Sequence, residues 1–534
     1  MKRKRIFFAS VLLGLSLLAG AFALDSGEEY IVSGISGNFS APNGYSRVFY
    51  EIFTGSFSDS DGDGIGDLRG VINRLDYLND GDPLSGKSLG VGGIWLTPVF
   101  ESPTYHKYDI TDYYRIDPAF GTMEDLRELI EKCHERGMLV ILDLPINHTG
   151  NQNSWFIQFR NAHLMHNSGN RYYDLYSWLP EGSPMPAGRH FTRIPGAEGY
   201  YECNFSDNMP ELNYDLPQVR QMMLDVALYY LDLGADGFRF DAAKYIYYGD
   251  HRKTADFWEW YIGELKKVKP DVFTVAEVWD GDGITDQYQK ATPCFDFTVA
   301  QSTGLIASTA RQGNVNRYTQ YVRDYLERTR TLSGQASYVP FLANHDTDRA
   351  AGYLTVAAGH AQIAANLYIL GPGSPFIYYG EEIGLRGSRG GGSTDANRRL
   401  AMLWGDGDTV KDPVGSTYEA KKQTPYTVRD LIGKEDSLLT YYKRLLLIRA
   451  ACPEIAIGTY RPIELNGKAG GFTSSLNENS VTVIHNTTLN TVTVDLSTVE
   501  GACSRQLFAF IGMGGATLEN GVLSLDSHTS AVIR

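Results

Sequence analysis

Short apolar runs alternate with longer amphipathic stretches from about residue 47 to about residue 450 of this 534-residue chain. A short apolar run fits a strand that is buried on both faces, and an amphipathic stretch fits a helix that covers the strand. Eight such runs predict an α/β fold, a parallel (β/α)₈ TIM barrel with its helices on the outside. The eight predicted strands are Arg47–Phe53, Val91–Val99, Met138–Leu144, Gly237–Asp241, Val272–Val278, Cys294–Val299, Tyr338–Ala343 and Ser374–Tyr379.

One of the intervening stretches, Met123–Arg136, illustrates the helical pattern. Gly137 follows it and supplies a helix stop, because glycine adopts the left-handed conformation that ends many helices. The apolar residues that share one face of this predicted helix are Leu126, Leu129, Ile130 and Cys133.

Two segments depart from the alternation. Residues 149–212 are irregular and rich in Asn, Tyr, Pro and Gly, so we predict an excursion domain after the third strand. Residues 452–534 contain short β-rich runs between turn residues, which predicts a C-terminal antiparallel β-sandwich domain. The barrel is then expected to comprise residues 24–148 and 213–451, and the β domain is interpreted as a stability module without chemistry of its own.

The first 23 residues are typical of a secretory signal. Lys2–Arg5 is a basic start, Ile6–Leu18 is mostly apolar, and Ala21–Ala23 fits a small-residue cleavage site. An uncleaved membrane anchor is the alternative, but the apolar stretch is short for a span of about 20 residues. We therefore expect an exported protein, periplasmic or extracellular, without a stable membrane anchor after cleavage.

Charge and cysteine usage narrow the class of protein. The formal net charge is −15, and removal of the predicted signal takes away four basic residues and no acidic one, which leaves −19. This balance argues against a nucleic-acid partner. The number of cysteines is odd and none is in a C-x-x-C spacing, so at least one thiol is unpaired. An exported protein can form one or two disulfides, but a core of this size does not need them, and we predict that most of the cysteines are buried small apolar side chains. The five cysteines are Cys133, Cys203, Cys294, Cys452 and Cys503.

Four of the predicted strands run into an acidic side chain, namely Asp143, Asp241, Glu277 and Asp346. The carboxyl ends of barrel strands meet at one face, where polar side chains are candidates for catalysis. A single Asp could simply cap the following helix. Capping does not explain four acidic strand ends, three of which have an Arg, His or Asn close by. The sequence therefore predicts a catalytic site at this face.

The segments around these residues resemble the four main conserved regions of the α-amylase family, glycoside hydrolase family 13, in the same order. They are Asp143–His148, Gly237–Tyr245, Ala276–Asp280 and Phe341–Asp346. A fifth segment, Met209–Asn213, is similar to a short motif in the family's excursion domain. Its form resembles the group intermediate between oligo-1,6-glucosidases and neopullulanases. The resemblance extends over essentially the whole chain that follows the predicted signal.

The resemblance implies three catalytic roles: Asp241 as nucleophile, Glu277 as general acid/base and Asp346 as transition-state stabiliser. Arg239 lies two residues before Asp241 and so points to the same side of the strand. We expect its charge to hold Asp241 ionised and to lower the pKa of that carboxyl. Apolar neighbours, Trp279 among them, are expected to raise the pKa of Glu277 toward the acid role.

The resemblance also implies a set of substrate contacts. His148 and His345 match the family's sugar-hydroxyl contacts in the −1 subsite. Arg239 is also expected to belong to the substrate-binding residues. Tyr108 matches a tyrosine that stacks on the −1 sugar, although Lys107 replaces a common Gly beside it. Lys244 matches a lysine that contacts the +2 sugar of α-1,4-glucans. Asp143 matches a structural carboxylate next to these side chains.

An acidic loop near the N-terminal end of the barrel predicts a calcium site. Its carboxylates alternate with Ser and Gly, and Ca²⁺ prefers clustered oxygen ligands. A solvated acidic turn is the alternative. Similar loops in related enzymes imply Ca²⁺ bound by Asp59, Asp61, Asp63, Asp67 and the carbonyl of Ile65. Many α-amylases have another calcium site, which the resemblance would place at Asn147 and the carbonyl of Tyr245. Whether this chain has that second site is left open.

The predicted function is an α-amylase, a retaining hydrolase that cleaves internal α-1,4 bonds of an α-glucan or maltooligosaccharide, and we expect a monomer. An α-glucosidase, a neopullulanase-like hydrolase or a 4-α-glucanotransferase on the same site is the alternative, which the Met209–Asn213 segment keeps open. A non-catalytic relative or a calcium-dependent sugar-binding protein would not need Asp241, Glu277 and Asp346 together.

Overall fold

A closed parallel barrel lies at the centre of the computed structural model, which describes residues 22–23, 29–30, 47–82, 85–390, 394–465, 468–501 and 506–534. Six of its strands form one hydrogen-bonded sheet. In the order in which they pair, they are Phe273–Ala276, Gly237–Phe240, Leu139–Leu144, Gly93–Leu96, Phe49–Ile52 and Phe376–Tyr378.

Three single parallel bridges complete the barrel. They join Ala276 to Cys294, Phe295 to Val339, and Phe341 to Phe376. The sixth and seventh predicted strands are therefore much shorter than expected. Pro293 and Pro340 have no N–H for a ladder hydrogen bond, which limits regular pairing at both places. The predicted (β/α)₈ barrel is confirmed, and two of its eight strands are reduced to single bridges.

The inside of the barrel is filled by large apolar side chains from several strands, as expected for a packed barrel core. Gly237 opens the fourth strand where a Cβ would lie 1.7 Å from the Phe273 carbonyl oxygen, so only glycine fits there. The main members of this inner cluster are Phe49, Trp95, Ile141, Phe273, Val275, Phe295, Phe341 and Phe376.

Helices surround the strands. The helix predicted at Met123–Arg136 spans Met123–Glu135, and Thr122 and Asp125 form a capping box at its start. Gly137 follows with φ of +70°, as its predicted role requires. The other outer helices are Leu68–Asn73, Leu75–Leu78, Pro217–Leu233, His251–Val268, Asp282–Gln289, Leu305–Gln312, Val315–Ser333, His360–Ile369, Val428–Leu431, Leu438–Ala451 and Pro453–Ile457.

Two excursions rise from the carboxyl ends of the strands. After the second barrel strand, Phe100–Glu101 pairs with Asp112–Ile116 and carries the loop that contains Tyr108. After the third, the helix Ser154–Leu164 precedes a small antiparallel sheet. Its strands, in the order in which they pair, are Trp178–Leu179, Tyr200–Glu202 and Phe191–Arg193.

The C-terminal region is an antiparallel sandwich of two sheets, as predicted. Side chains such as Ile484, Phe510 and Leu523 pack between them. An edge strand of the larger sheet, Thr459–Ile463, contains Pro462, which has no backbone N–H to donate. In pairing order the larger sheet contains Thr459–Ile463, Ala469–Leu476, Asn479–Asn486, Thr529–Ile533 and Leu507–Gly512, and the smaller contains Val492–Asp495, Val522–Leu525 and Ala516–Glu519.

Most of the predicted signal falls outside the described residues. Of its 23 residues only Phe22–Ala23 is described, as a short strand that pairs with Glu29–Tyr30. No helix in the described part of the chain has the length and apolar character needed to cross a membrane. Four cysteines are buried free thiols, as expected, and Cys503 lies outside the described residues. The four are Cys133, Cys203, Cys294 and Cys452.

Candidate active site

The acidic strand ends meet beneath an open cleft of about 820 Å³. The fold brings them together because parallel strands direct their carboxyl ends to one face of the barrel. Six of the residues predicted from the sequence line this cleft, while Arg239 and His345 lie buried beneath it. The six are Tyr108, His148, Asp241, Lys244, Glu277 and Asp346.

Arg239 lies at the centre of the site with a side chain that has no exposed surface. Its Nη1 donates to Asp241 Oδ1 at 2.6 Å and to Asp143 at 2.8 and 3.0 Å. Its Nη2 lies 3.0 Å from Glu277 Oε2. One buried guanidinium therefore joins three strand ends and draws the two candidate reacting carboxylates together.

Asp241 and Glu277 are also linked through the backbone. The residue after Asp241, Ala242, adopts the left-handed conformation with φ of +47°, which a non-glycine residue seldom does. Its N–H donates to Glu277 Oε2 at 3.2 Å. The strained turn at the end of the fourth strand thus fixes the Glu277 carboxylate relative to Asp241.

Burial controls the protonation of these carboxylates. It raises the pKa of Glu277, which Arg239 opposes and Asp241 reinforces, so the predicted direction for Glu277 is confirmed. Burial also raises the pKa of Asp241 despite Arg239, so the predicted lowering is wrong. The cation offsets only part of the desolvation cost of a carboxylate this deep. Burial likewise raises the pKa of Asp143 to about 7.

His345 and Asp346 form a charged pair at the end of the seventh strand. His345 Nδ1 lies 2.6 Å from Glu51 Oε1, and its Nε2 lies 3.0 Å from Asp346 Oδ2. Burial alone would lower the pKa of His345, but Asp346 and Glu51 together raise it to about 10. For Asp346 burial would raise the pKa, whereas the cations His345, Arg399 and Arg239 bring it well below its usual range. Asp346 is thereby held ionised.

Tyr108 packs against this pair. Its ring stacks on His345 with centroids 5.6 Å apart, and its hydroxyl donates to Asp143 Oδ2 at 2.9 Å. Lys107, the departure from the family pattern, has a φ of +64°, the backbone region that glycine favours. The loop accommodates it because the Lys107 ammonium pairs with Asp117 at 2.8 Å.

His148 has one ring nitrogen without a hydrogen-bond partner among the described residues. Its Nε2 lies 3.2 Å from the Tyr108 carbonyl oxygen and so donates to it. Its buried Nδ1 has no hydrogen-bond partner among the described residues. Burial lowers the pKa of His148 to about 4, so the ring is neutral and Nδ1 is an acceptor. A sugar hydroxyl is a suitable donor for such an atom.

Lys244 lies at the rim of the cleft beyond Glu277. Its ammonium donates to the Trp279 carbonyl at 2.9 Å and to Asp280 at 3.0 Å. The Trp279 ring stacks on Phe297 with centroids 4.6 Å apart and remains partly exposed to the cleft. A cation and an aromatic face therefore lie on the same side of the cleft.

Arg399 belongs to the core of the site, although no sequence pattern predicted it. Its Nη2 donates to Asp346 Oδ1 at 2.7 Å, and its Nη1 donates to the Tyr105 hydroxyl at 3.1 Å. It lies in an irregular segment after the eighth strand with no periodic pattern around it. The preceding Arg398 donates to the Asp346 carbonyl at 2.7 Å. Two adjacent arginines near a glycine-rich loop were the available signal.

The acidic loop predicted to bind calcium brings three of its four carboxylates together. Carboxylate oxygens of Asp59, Asp61 and Asp67 lie within 4.8 Å of one another. Asp63 is not part of this group; its Oδ1 accepts from the Ile65 N–H at 2.6 Å. Hydrogen bonds to Asp59, from Thr409 among others, outweigh burial and lower its pKa. Three converging carboxylate oxygens fit a calcium ion.

The second position considered for calcium is engaged by protein groups. The Asn147 amide donates to the buried carboxyl of Glu211, a residue of the Met209–Asn213 segment. Burial, reinforced by Glu202, raises the pKa of Glu211 well above its usual range. Arg189 pairs with Glu202 next to it. Asn147 therefore already has a partner within the chain.

Comparison with known proteins places this site in a family. Residues 51–458 match the model of the α-amylase catalytic domain. The chain is 35% identical over 452 residues to α-amylase 3 of Dictyoglomus thermophilum, covering 82% of this chain and 84% of that protein. It is 31% identical over 353 residues to a 4-α-glucanotransferase of Thermotoga neapolitana, covering 64% and 72%.

A solved structure, Eubacterium rectale Amy13B, superposes with a TM-score of 0.83 at 32% identity, covering 92% of this chain and 96% of that one. The resemblance found in the sequence is thus confirmed over the barrel and the C-terminal sandwich. The chain belongs to the α-amylase family, glycoside hydrolase family 13.

Proposed function

We propose that this protein is an exported α-amylase that cleaves internal α-1,4-glucosidic bonds of starch-like glucans with retention. The observation that carries the proposal is the position of Asp241 and Glu277 on one buried guanidinium, that of Arg239, at the base of an open cleft. Retaining glycosidases need their two carboxyl groups about 5–5.5 Å apart, closer than the inverting spacing of about 6.5–9.5 Å. A shared guanidinium supports the closer arrangement.

In the first step Asp241 attacks the anomeric carbon while the bond to the leaving oxygen breaks. Within the described residues only Oδ1 of Asp241 accepts a hydrogen bond, which leaves Oδ2 for the attack. Glu277, whose raised pKa favours the protonated form, donates its proton to the leaving oxygen. The product is a glycosyl ester on Asp241 and a Glu277 carboxylate.

In the second step water attacks the anomeric carbon of the ester. Glu277 takes a proton from that water, and Asp241 leaves as a carboxylate, so the enzyme returns to its starting state. Asp346, held ionised by His345 and Arg399, faces the positive charge that develops on the sugar ring. Two inversions at the same carbon give net retention.

Substrate contacts follow from the lining of the cleft. We assign Tyr108 to stacking on the −1 sugar and His148 to a hydroxyl group of that sugar. His345, predicted to contact the same sugar, is buried beneath the cleft with both ring nitrogens paired, so we assign it to holding Asp346 in place. Lys244 and the Trp279 ring are assigned to the leaving side, where a longer glucan continues. Because the cleft is open, an internal bond can reach Glu277 without threading a chain end. A monomer is sufficient for this assignment, because all of these residues come from one chain.

We propose Ca²⁺ as a structural ion held by Asp59, Asp61 and Asp67 in the acidic loop. Its charge would offset the repulsion among three close carboxylates. Asp67 also caps the helix Leu68–Asn73 by accepting from the Gly70 N–H at 2.6 Å. The ion would therefore stabilise the connection between the first barrel strand and the first helix, away from the reacting carboxylates.

Export rests on the basic and apolar start of the chain and on the Ala21–Ala23 cleavage signal. We propose that the mature protein begins after residue 23 and acts in the periplasm or outside the cell. N-terminal sequencing of the protein from fractionated cells tests this. A chain in the cytoplasm that still begins at Met1 would contradict it.

A 4-α-glucanotransferase is the second candidate, favoured by the similarity to the Thermotoga neapolitana enzyme. It would form the same ester on Asp241, with a sugar hydroxyl in place of water in the second step. The proposal is tested by following chain lengths of products from soluble starch, pullulan and maltotriose over time. An α-amylase shortens starch rapidly and hardly lengthens maltotriose. Early products longer than maltotriose would favour the transferase.

A further inference from the structure

Three metal-ligating side chains of different chemistry converge in the excursion after the third barrel strand. His190 offers an imidazole nitrogen, Cys203 a sulfur and Asp207 a carboxylate oxygen, and these atoms lie within 4.8 Å of one another. His190 Nε2 is 2.9 Å from Asp207 Oδ1, and Cys203 Sγ is 3.8 Å from the same oxygen. None of these three residues belongs to the catalytic cleft or to the acidic loop.

The backbone fixes the three residues in this arrangement. Phe191 and Glu202 are paired in the small antiparallel sheet, and the ladder continues as the Cys203 N–H donates to the His190 carbonyl at 2.9 Å. The Tyr201 hydroxyl donates to the Asp207 carbonyl at 2.8 Å. A register shift that would separate the three ligands would therefore break the end of this sheet.

We propose that His190, Cys203 and Asp207 bind a divalent transition metal of the Zn²⁺ class. Zinc takes nitrogen, sulfur and oxygen ligands in tetrahedral sites at about 2.0–2.3 Å, so neighbouring ligands lie about 3.3–3.8 Å apart. The 2.9 Å contact between His190 and Asp207 must open slightly, and the 3.8 Å spacing of Cys203 and Asp207 already fits. The third pair, His190 and Cys203, lies within 4.8 Å. Water completes the fourth position, since His190 and Asp207 have side chains that are 60% and 66% exposed.

This chemistry differs from that of the acidic loop, which offers only oxygen. A thiolate and an imidazole suit Zn²⁺ and related ions, whereas Ca²⁺ takes oxygen. On binding, the Cys203 thiol loses its proton to water and a sulfur–metal bond forms. The two sites can therefore be loaded and measured separately.

The metal would clamp a loop that borders the substrate cleft. Phe205 lies between Cys203 and Asp207 and is 45% exposed. Its ring lies 5.4 Å from the His148 ring and 5.1 Å from the Tyr245 ring, centroid to centroid. A metal bridge across the base of this loop would hold Phe205 over the cleft next to His148.

The test uses the full chain, freed of metal with a chelator and then loaded with Zn²⁺ in excess Ca²⁺. After gel filtration, wild type is expected to retain a single equivalent of zinc that His190→Ala and Asp207→Asn lose. Co²⁺ in place of Zn²⁺ is expected to give a near-ultraviolet band from sulfur-to-metal charge transfer, which Cys203→Ser abolishes. His166→Asn, an exposed histidine of the same excursion, is the matched control and should bind as wild type.

His190 and Asp207 are exposed, so their variants should fold, and circular dichroism checks this. The proposal is overturned if His190→Ala retains zinc as wild type does, or if Co²⁺ gives no sulfur band in wild type. The latter result would mean that these residues form only the hydrogen bond between His190 and Asp207. Metal content is independent of hydrolysis, so this outcome does not depend on the proposed α-amylase activity.

Discussion

The Arg239 guanidinium donates to Asp241 over 2.6 Å, from a side chain with no exposed surface. The same group contacts Asp143 and Glu277, so one cation compensates three buried acids. Replacing it leaves these carboxylates without their countercharge. Loss of one partner from a buried ion pair costs about 3–5 kcal/mol, and loss of one electrostatic stabiliser costs about 10²–10³ in kcat.

Arg239→Gln is therefore expected to lower both the free energy of unfolding and kcat by amounts of this order. Urea unfolding and hydrolysis of an aryl maltoside measure the two effects. Arg252→Gln, which changes an exposed arginine, is the control and should leave both unchanged. A normal kcat in the Arg239→Gln variant would mean that Arg239 has no role in catalysis.

The stability of the protein should depend on pH through His345. Its pKa is raised from an ordinary value of 6.5 to about 10 by Asp346 and Glu51, against the effect of burial. A raised pKa means that the folded state binds the proton more tightly. The contribution is complete below about pH 6.5 and is lost as pH rises through about 10.

We expect the urea midpoint of wild type to fall between about pH 7 and pH 10 by more than that of His345→Gln. The comparison removes the effect of other groups that titrate in this range. Equal slopes for the two proteins would mean that His345 is not held as the cation.

The acidic loop should respond to calcium through Asp59, Asp61 and Asp67. Chelation is expected to lower the melting temperature of wild type, and added Ca²⁺ should restore it. Asp59→Asn should melt lower and lose most of the response. Asp63→Asn is the matched change in the same loop and should keep the response, because Asp63 lies outside the converging group. Equal effects of the two variants would contradict this ligand set.

Lys244 should matter in proportion to the length of the substrate. Lys244→Ala is expected to lower kcat/KM on long maltooligosaccharides by about tenfold, the size of one charged hydrogen bond. The loss of kcat/KM on an aryl maltoside, which lacks the +2 sugar, should be much smaller. Lys290→Ala, which breaks a surface ion pair with Glu259, is the control. Equal losses on both substrates would mean that Lys244 acts through Trp279 or Asp280 instead.

The fold was predictable because the barrel depends on a repeated local pattern. Each buried strand is visible in the sequence as an apolar run, and acidic residues at the strand ends indicate the catalytic face. Periodicity does not show how long a strand remains paired. The segments around Pro293 and Pro340 have the composition of strands, yet each proline lacks the backbone N–H that a ladder needs.

The site was less predictable where it depends on distant segments. Arg399 reaches Asp346 from an irregular loop after the eighth strand, and no local pattern links the two. The predicted direction of the pKa shift of Asp241 was also wrong. A neighbouring cation is visible in the sequence, whereas the depth of burial is not. The outlying position of Asp63 depends on how the loop turns, which residue spacing alone does not fix.

The central claim is that Asp241 forms a covalent glycosyl ester while Glu277 serves as acid and base. A fluorinated α-glycosyl fluoride tests it directly, because fluoride leaves without a proton from Glu277 and the fluorinated ester breaks down slowly. Mass spectrometry of the digested Glu277→Gln variant should find the sugar on the peptide that contains Asp241. A label on Asp346, or no label at all while the variant still releases fluoride, would contradict the account.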